Sequence, residues 1–239
     1  MQNLVLFDID GTLVLTGGAG LRAMMRAFAA VVGDPSALEG VPVAGRTDWI
    51  ILMDGARRAG RELDDELFGR LREHYLASLR EEIELPGHGV KSVMPGVRDL
   101  LERLHSCQGV LLGLLTGNFI EGARIKLEHF DLWKYFRCGA FGDDSPDRNA
   151  LVPVAVARAR RQGLPEIAAD RVLVVGDTPH DIACARAAGA RAVGVATGLY
   201  SAEQLRERGA DIVFEDLSDT ERFLELLERS NWNRWSTSL

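Results

Sequence analysis

The chain opens on a continuous apolar run, Asn3–Phe7, that ends abruptly in acid at Asp8. Short unbroken runs of this kind suit strands buried on both faces of a parallel sheet. Comparable runs recur at Val110–Leu115, Cys138–Phe141, Val172–Val175, Ala192–Val195 and Ile212–Phe214. Between them the apolar period lengthens to that of a helix over Val97–His105, Phe119–His129, Ala150–Arg161, Asp181–Ala188 and Thr220–Arg229. Strands alternating with helices predict an α/β fold: a doubly wound parallel sheet of Rossmann-like type with helices on both faces.

One stretch breaks this rhythm. Leu21–Val32 has a helical pattern that Gly33-Asp34-Pro35-Ser36 stops, and Gly45–Leu85 is helical and charge-rich. Leu63, Leu67, Leu71, Tyr75, Leu76 and Leu79 form one amphipathic stripe, and no strand-like run occurs. The pattern predicts an all-helical domain, residues 17–92, inserted into a core of residues 1–16 and 93–239. Gly17-Gly18 and Pro95-Gly96 flank it like hinges.

Composition narrows the classes. With 239 residues, 46% of them hydrophobic and 26% charged, the chain can bury a core without disulfides or structural metal. A formal charge of −7 disfavours nucleic acid as a partner. No run reaches the ~18 apolar residues of a membrane span, and the N-terminus has no signal-peptide pattern, so cytoplasm is the expected location. Cys107, Cys138 and Cys184 are isolated, which fits a reducing compartment and argues against a zinc or disulfide framework; Cys184 reads as a small core residue. The few lysines, Lys91, Lys126 and Lys134, read as compositional bias towards arginine. The tail tryptophans Trp232 and Trp235 are expected to pack on the body of the protein.

The candidate chemistry lies at strand ends, where ligands bind in open α/β sheets. Asp8 and Asp10 follow the first strand, Thr116 and Asn118 a second, and Asp177 and Asp181 a third. Four converging carboxylates would repel one another strongly. A hard divalent cation relieves the repulsion, and an all-oxygen donor set suits Mg²⁺. Gly11 permits the turn after the first strand, and the Thr12 hydroxyl is expected to lock it.

Leu4-Val-Leu-Phe-Asp-Ile-Asp-Gly-Thr-Leu-Val14, Leu114-Leu-Thr-Gly-Asn118 and Val174-Val-Gly-Asp-Thr-Pro-His-Asp181, in that order, resemble the first, second and fourth motifs of the haloacid dehalogenase-like hydrolases. The resemblance covers essentially the whole chain. It implies a nucleophilic Asp8, an acid/base Asp10, and phosphate binding by Thr116 with Gly117 and Asn118. Mg²⁺ would sit on Asp8, the main-chain carbonyl of Asp10 and Asp177, with Asp181 a direct or more distant partner. The family's third motif supplies a lysine, and neither Lys126 nor Lys134 stands in its place. Arg148 is the cation between the expected Cys138–Phe141 strand and the next helix, and takes that role. Asp143, Asp144 and Asp147 read as a solvated, helix-capping loop, with Asp143 a candidate brace for Arg148; His180 reads as structural.

The helical insertion resembles the cap of one branch of the family, with phosphoglycolate phosphatases most similar. Within it Arg46 and Thr47 are the candidate specificity residues: Arg46 could bind a substrate carboxylate or second phosphate, and Thr47 or Asp48 could equally cap a helix. The expected activity is Mg²⁺-dependent hydrolysis of a small phosphorylated metabolite by a monomer or homodimer. A phosphosugar mutase shares the same nucleophile and acid/base pair, and a non-catalytic phospho-ligand-binding module is the alternative from another class. Retention of Asp10 argues against a haloalkanoate dehalogenase, which protonates no alcohol. The lack of a lysine well inside the insertion argues against a phosphonatase.

Overall fold

The computed structural model describes residues 2–87, 89–163 and 166–228. Trp232 and Trp235, expected to pack on the body, lie outside these residues. Six parallel strands form the sheet: β1 (Asn3–Phe7), β4 (Val110–Leu115), β5 (Cys138–Ala140), β6 (Val172–Gly176), β7 (Arg191–Val195) and β8 (Ile212–Phe214). Their order is β5-β4-β1-β6-β7-β8. The order reverses at β1, so the carboxyl ends of β4, β1 and β6 stand side by side at the switch point.

Alternation within each buried strand feeds two separate cores. Val5 and Phe7 of β1, with Leu112 and Leu114 of β4, face α4 (Val97–Ser106), α5 (Ile120–His129) and α9 (Thr220–Glu228). Leu4 and Leu6, with Val172 and Val174, face α6 (Leu151–Arg161), α7 (Pro179–Ala187) and α8 (Ala202–Glu207). Continuous apolar strands result because both faces are covered.

Three further helices, α1 (Ala19–Val31), α2 (Asp48–Arg58) and α3 (Asp65–Glu82), share a third core around Phe28, Leu52, Leu71, Tyr75 and Leu79. Phe119, which precedes α5, inserts into that core and ties the helical layer to the sheet. Gly55 lets α2 approach α1: a Cβ there would stand 2.5 Å from a Phe28 ring atom.

Two elements differ from the sequence expectation. The hinge is a two-stranded antiparallel ribbon, β2 (Val14–Thr16) with β3 (Lys91–Val93), at two places where the sequence pattern marked no strand. Strands of three residues are too short to show a period. The short helix α8 falls in a stretch read as a connection, although Ser201-Ala-Glu-Gln204 is a capping box in which each side chain bonds the other's main-chain N–H.

Candidate active site

The turn after β1 is made by Gly11, whose φ of 87° is costly for any residue with a Cβ. A Cβ there would also collide with Asp177, at 2.5 Å from Oδ2. The sheet therefore brings the first and third strand-end motifs into contact through a glycine. The Thr12 hydroxyl does not lock this local turn, as expected from the sequence. It donates to Asp177 Oδ1 (3.0 Å), bonding two motifs 165 residues apart.

Asp8, Asp177 and Asp181 are all buried, and each offers a carboxylate oxygen within 4.8 Å of the others. Arg148 stands against them. Its Nη2 donates to Asp8 Oδ1 (2.9 Å) and also to Asp181 Oδ1, while Nη1 donates to the Gly45 carbonyl (3.1 Å). Its Nε is buried and has no hydrogen-bond partner among the described residues. Asp181 is fully engaged, since Oδ2 accepts from the Thr178 main-chain N–H (3.0 Å) and hydroxyl (2.7 Å). Asp8 Oδ2 and Asp177 Oδ2 accept no hydrogen bond among the described residues. This donor set fits a hard cation: two carboxylate oxygens are open, and Asp181 is committed to holding Arg148 and the start of α7. His180 is not in the cluster, and burial followed by the Arg148 charge lowers its pKa.

The second motif is a hydrogen-bond chain. Thr116, fully buried, accepts at Oγ1 from Asn118 Nδ2 (2.8 Å), and that amide also donates to Asp10 Oδ2 (2.8 Å). Lys126 completes the chain: Nζ donates to Asp10 Oδ1 (2.8 Å), Asp10 Oδ2 (2.6 Å) and Asn118 Oδ1 (2.6 Å). The sequence reading left Lys126 out because it precedes β5. It reaches the site from within α5 and pairs with Asp10, whereas Arg148 pairs with Asp8. The available signal was its rarity: a lysine on the helix that follows a reactive strand end, in a chain that otherwise uses arginine.

The helical layer meets the core through residues 45–48. Asp48 N–H donates to the Gly117 carbonyl (2.7 Å), and Asp48 Oδ2 accepts from Phe119 N–H (2.8 Å). Thr47 donates to the Pro146 carbonyl (3.1 Å) and caps α2 at Ile50. Arg46 lines the cavity, but its guanidinium is engaged by Asp54 (2.7 Å) and the Pro42 carbonyl (3.1 Å). Asp143 does not brace Arg148. It binds Arg72 (2.9 Å) and the Ile120 N–H that opens α5. Asp144 pairs with Arg158, and Asp147 caps the turn at Asn149. Cys184 is buried, and its thiol donates to the Arg148 carbonyl (3.0 Å). Asp8, Asp10, Asp48, Thr116, Lys126, Arg148 and Asp177 line a cavity of about 450 Å³ between sheet and helical layer.

Burial pushes the Asp48 carboxyl up to about 7. Burial, with neighbouring carboxylates, also raises Asp8 and Asp177. All three hold their protons more tightly folded than unfolded. Such acids favour the fold below their folded pKa and favour it less as pH climbs from the unfolded value to the folded one. His180, with its lowered pKa, works in the opposite sense, one group against three. In EDTA the protein is therefore expected to melt at a lower temperature at pH 8 than at pH 5. A melting temperature that rises over this interval would contradict the electrostatic description.

Known proteins resemble this chain in sequence and in fold. The phosphoglycolate phosphatase of Escherichia coli (strain K12) is 30% identical over 238 residues, 90% of this chain and 89% of that protein. That of Pseudomonas fluorescens (strain Pf0-1) is 26% identical over 222 residues, 91% and 78% of the two chains. The crystal structure of a hydrolase from Pseudomonas syringae superposes with a TM-score of 0.65 at 27% identity, covering 94% of this chain and 98% of that one. A model of the haloacid dehalogenase-like hydrolase family matches residues 2–189, a span that contains the three strand-end motifs and Arg148: the chain belongs to the haloacid dehalogenase-like hydrolases.

Proposed function

We propose that the protein is a Mg²⁺-dependent phosphomonoesterase working through an aspartyl-phosphate on Asp8. The observation that carries this reading is Arg148, which holds Asp8 Oδ1 from one side and keeps a buried Nε–H unpaired among the described residues, beside an Asp10 fixed by Lys126 and Asn118. An Asp8 oxygen attacks phosphorus as the P–O bond to the alcohol breaks, and Asp10 gives the leaving oxygen its proton. Asp10 then takes a proton from the water that attacks the aspartyl-phosphate, which restores Asp8 and releases inorganic phosphate. Arg148 and Thr116, with the main chain at Gly117 and Asn118, stabilise the equatorial oxygens. Asp8, Asp177 and the Asp10 carbonyl would hold Mg²⁺, which when bound offsets the charge between carboxylate and phosphate. Residues 1–16 and 93–239 act as the catalytic core, and residues 17–92 as a cap that shields the site from water. The partner is a small phosphorylated metabolite. The relatives named above make 2-phosphoglycolate the first compound to try.

Phosphate release from a panel of phosphomonoesters tests the reading. Turnover is expected with Mg²⁺ and is expected to fall on the order of a hundredfold or more in EDTA, since the cation supplies several kcal/mol of charge stabilisation. Release that is indifferent to EDTA would remove the metal from the scheme. A phosphorylated Asp8 without phosphate release would move the protein to the mutases.

Closure has a checkable dependence on one glycine. A Cβ on Gly117 would stand 2.1 Å from the Arg46 carbonyl oxygen and 2.8 Å from Thr47 Cα. Gly117→Ala must displace the helical layer or the phosphate loop, and a displacement near 1 Å costs up to about a hundredfold in kcat/KM. Steady-state kinetics would show the loss, and wild-type kcat/KM in this variant would mean the contact has no part in turnover.

A further inference from the structure

The cavity has two unlike halves. Its floor is polar and built around Asp8, Arg148 and Asp177. The helical layer lines the rest with Leu21, Met24, Val43 and Ile51, and the loop after β7 adds Leu199. Leu199 is 82% exposed, Leu21 41% and Val43 38%. Single exposed apolar side chains need no explanation, but three around one mouth mark a surface that meets something apolar.

Charge in this half points the same way. Arg46 is balanced by Asp54, and Lys126 directs its protons at Asp10 and Asn118. Asp48 remains, buried, accepting from the Phe119 N–H and standing beside the Tyr75 hydroxyl and the Lys126 charge. A second anionic group on the substrate would find both cations, Arg46 and Lys126, already committed to carboxylates in a poorly screened space. The Tyr75 side chain, which lines the cavity, is neutral: its buried hydroxyl makes no well-aligned hydrogen bond among the described residues and stands beside Asp48. It can meet a hydroxyl or ether oxygen. A volume of about 450 Å³ also exceeds the needs of phosphate on a two-carbon acid, and falls in the range that encloses drug-sized ligands.

We infer that the leaving group of the substrate is an uncharged, largely apolar alcohol seated on Leu21, Met24, Val43, Ile51 and Leu199, not a carboxylate-bearing one. The inference rests on the phosphatase reading and narrows its substrate class. Ethyl phosphate, hexyl phosphate and 2-phosphoglycolate test it, the first and last differing only by methyl for carboxylate. Binding is measured by calorimetry on Asp8→Asn with Mg²⁺, and turnover on the wild type.

Affinity is expected to rise three- to fourfold per added methylene from ethyl to hexyl phosphate, and ethyl phosphate to bind ahead of 2-phosphoglycolate. Leu21→Ser with Leu199→Ser, both at exposed positions, should lower hexyl phosphate binding more than ethyl phosphate binding. Tighter binding of 2-phosphoglycolate than of ethyl phosphate, or no gain with chain length, overturns the inference even when phosphate is released. If the binding order holds but the wild type releases no phosphate, the substrate class stands and the hydrolytic reading falls.

Discussion

Asp8→Asn is expected to abolish turnover and, in EDTA at pH 8, to raise the melting temperature. The two effects have one origin. Asp8 is buried among Asp10, Asp177 and Asp181, and burial is the largest of the influences that raise its pKa, ahead of the opposing Arg148 charge. An ionised carboxylate there costs folding free energy that a neutral amide of the same shape does not. The Asn side-chain oxygen can still accept from Arg148 Nη2, so the cation keeps a partner. Loss of a covalent nucleophile leaves only binding and electrostatic assistance, and kcat is expected to fall on the order of 10⁴-fold or more. Phosphate release and thermal unfolding on one preparation read both effects. Retained turnover would dismiss Asp8 as nucleophile. A lost activity accompanied by a lower melting temperature would mean that Asp8 stabilises the fold, and that inactivity reports damage to it.

The sheet was legible because its strands are continuous apolar runs that end in reactive residues, a pattern that a surface loop or a helix interior does not produce. Asp8, Thr116 and Asp177 could be placed together before any coordinates, since adjacent parallel strands bring their carboxyl ends to one edge. Side-chain reach was not legible. Lys126 enters the site from a helix, and no spacing rule states which of its faces meets Asp10. Thr12 could bond within its own turn or across to Asp177, and only the approach of β6 decides for the latter. Arg46 looked like a free cation because Asp54, eight residues later on α2, is an unremarkable acid until the loop folds it alongside. The three-residue strands of the hinge ribbon carry too few residues to show alternation.

Arg148→Ala is expected to cost about 10³-fold in kcat/KM and to destabilise the metal-free protein at pH 8 by about 3–5 kcal/mol. Arg148 is buried with Asp8 and Asp181, whose side chains are similarly enclosed, so its removal strands two carboxylates in a medium that cannot solvate them. Asp8, whose pKa burial already raises, can escape the penalty by taking up a proton, and the destabilisation should therefore shrink towards pH 5. Arg148→Lys separates charge from geometry. A single ammonium keeps the positive charge, but one short head group cannot reach Asp8, Asp181 and the Gly45 carbonyl together, as the guanidinium does through Nη1 and Nη2. The lysine variant is expected to recover most of the stability and only part of the turnover. Chemical denaturation at the two pH values, beside kcat/KM for the three proteins, distinguishes the cases. Equal turnover in Arg148→Ala and wild type would show that phosphate is held without this residue. Equal turnover in Arg148→Lys and wild type would show that charge alone suffices, and that the three-way bonding of the guanidinium belongs to the fold and not to the reaction.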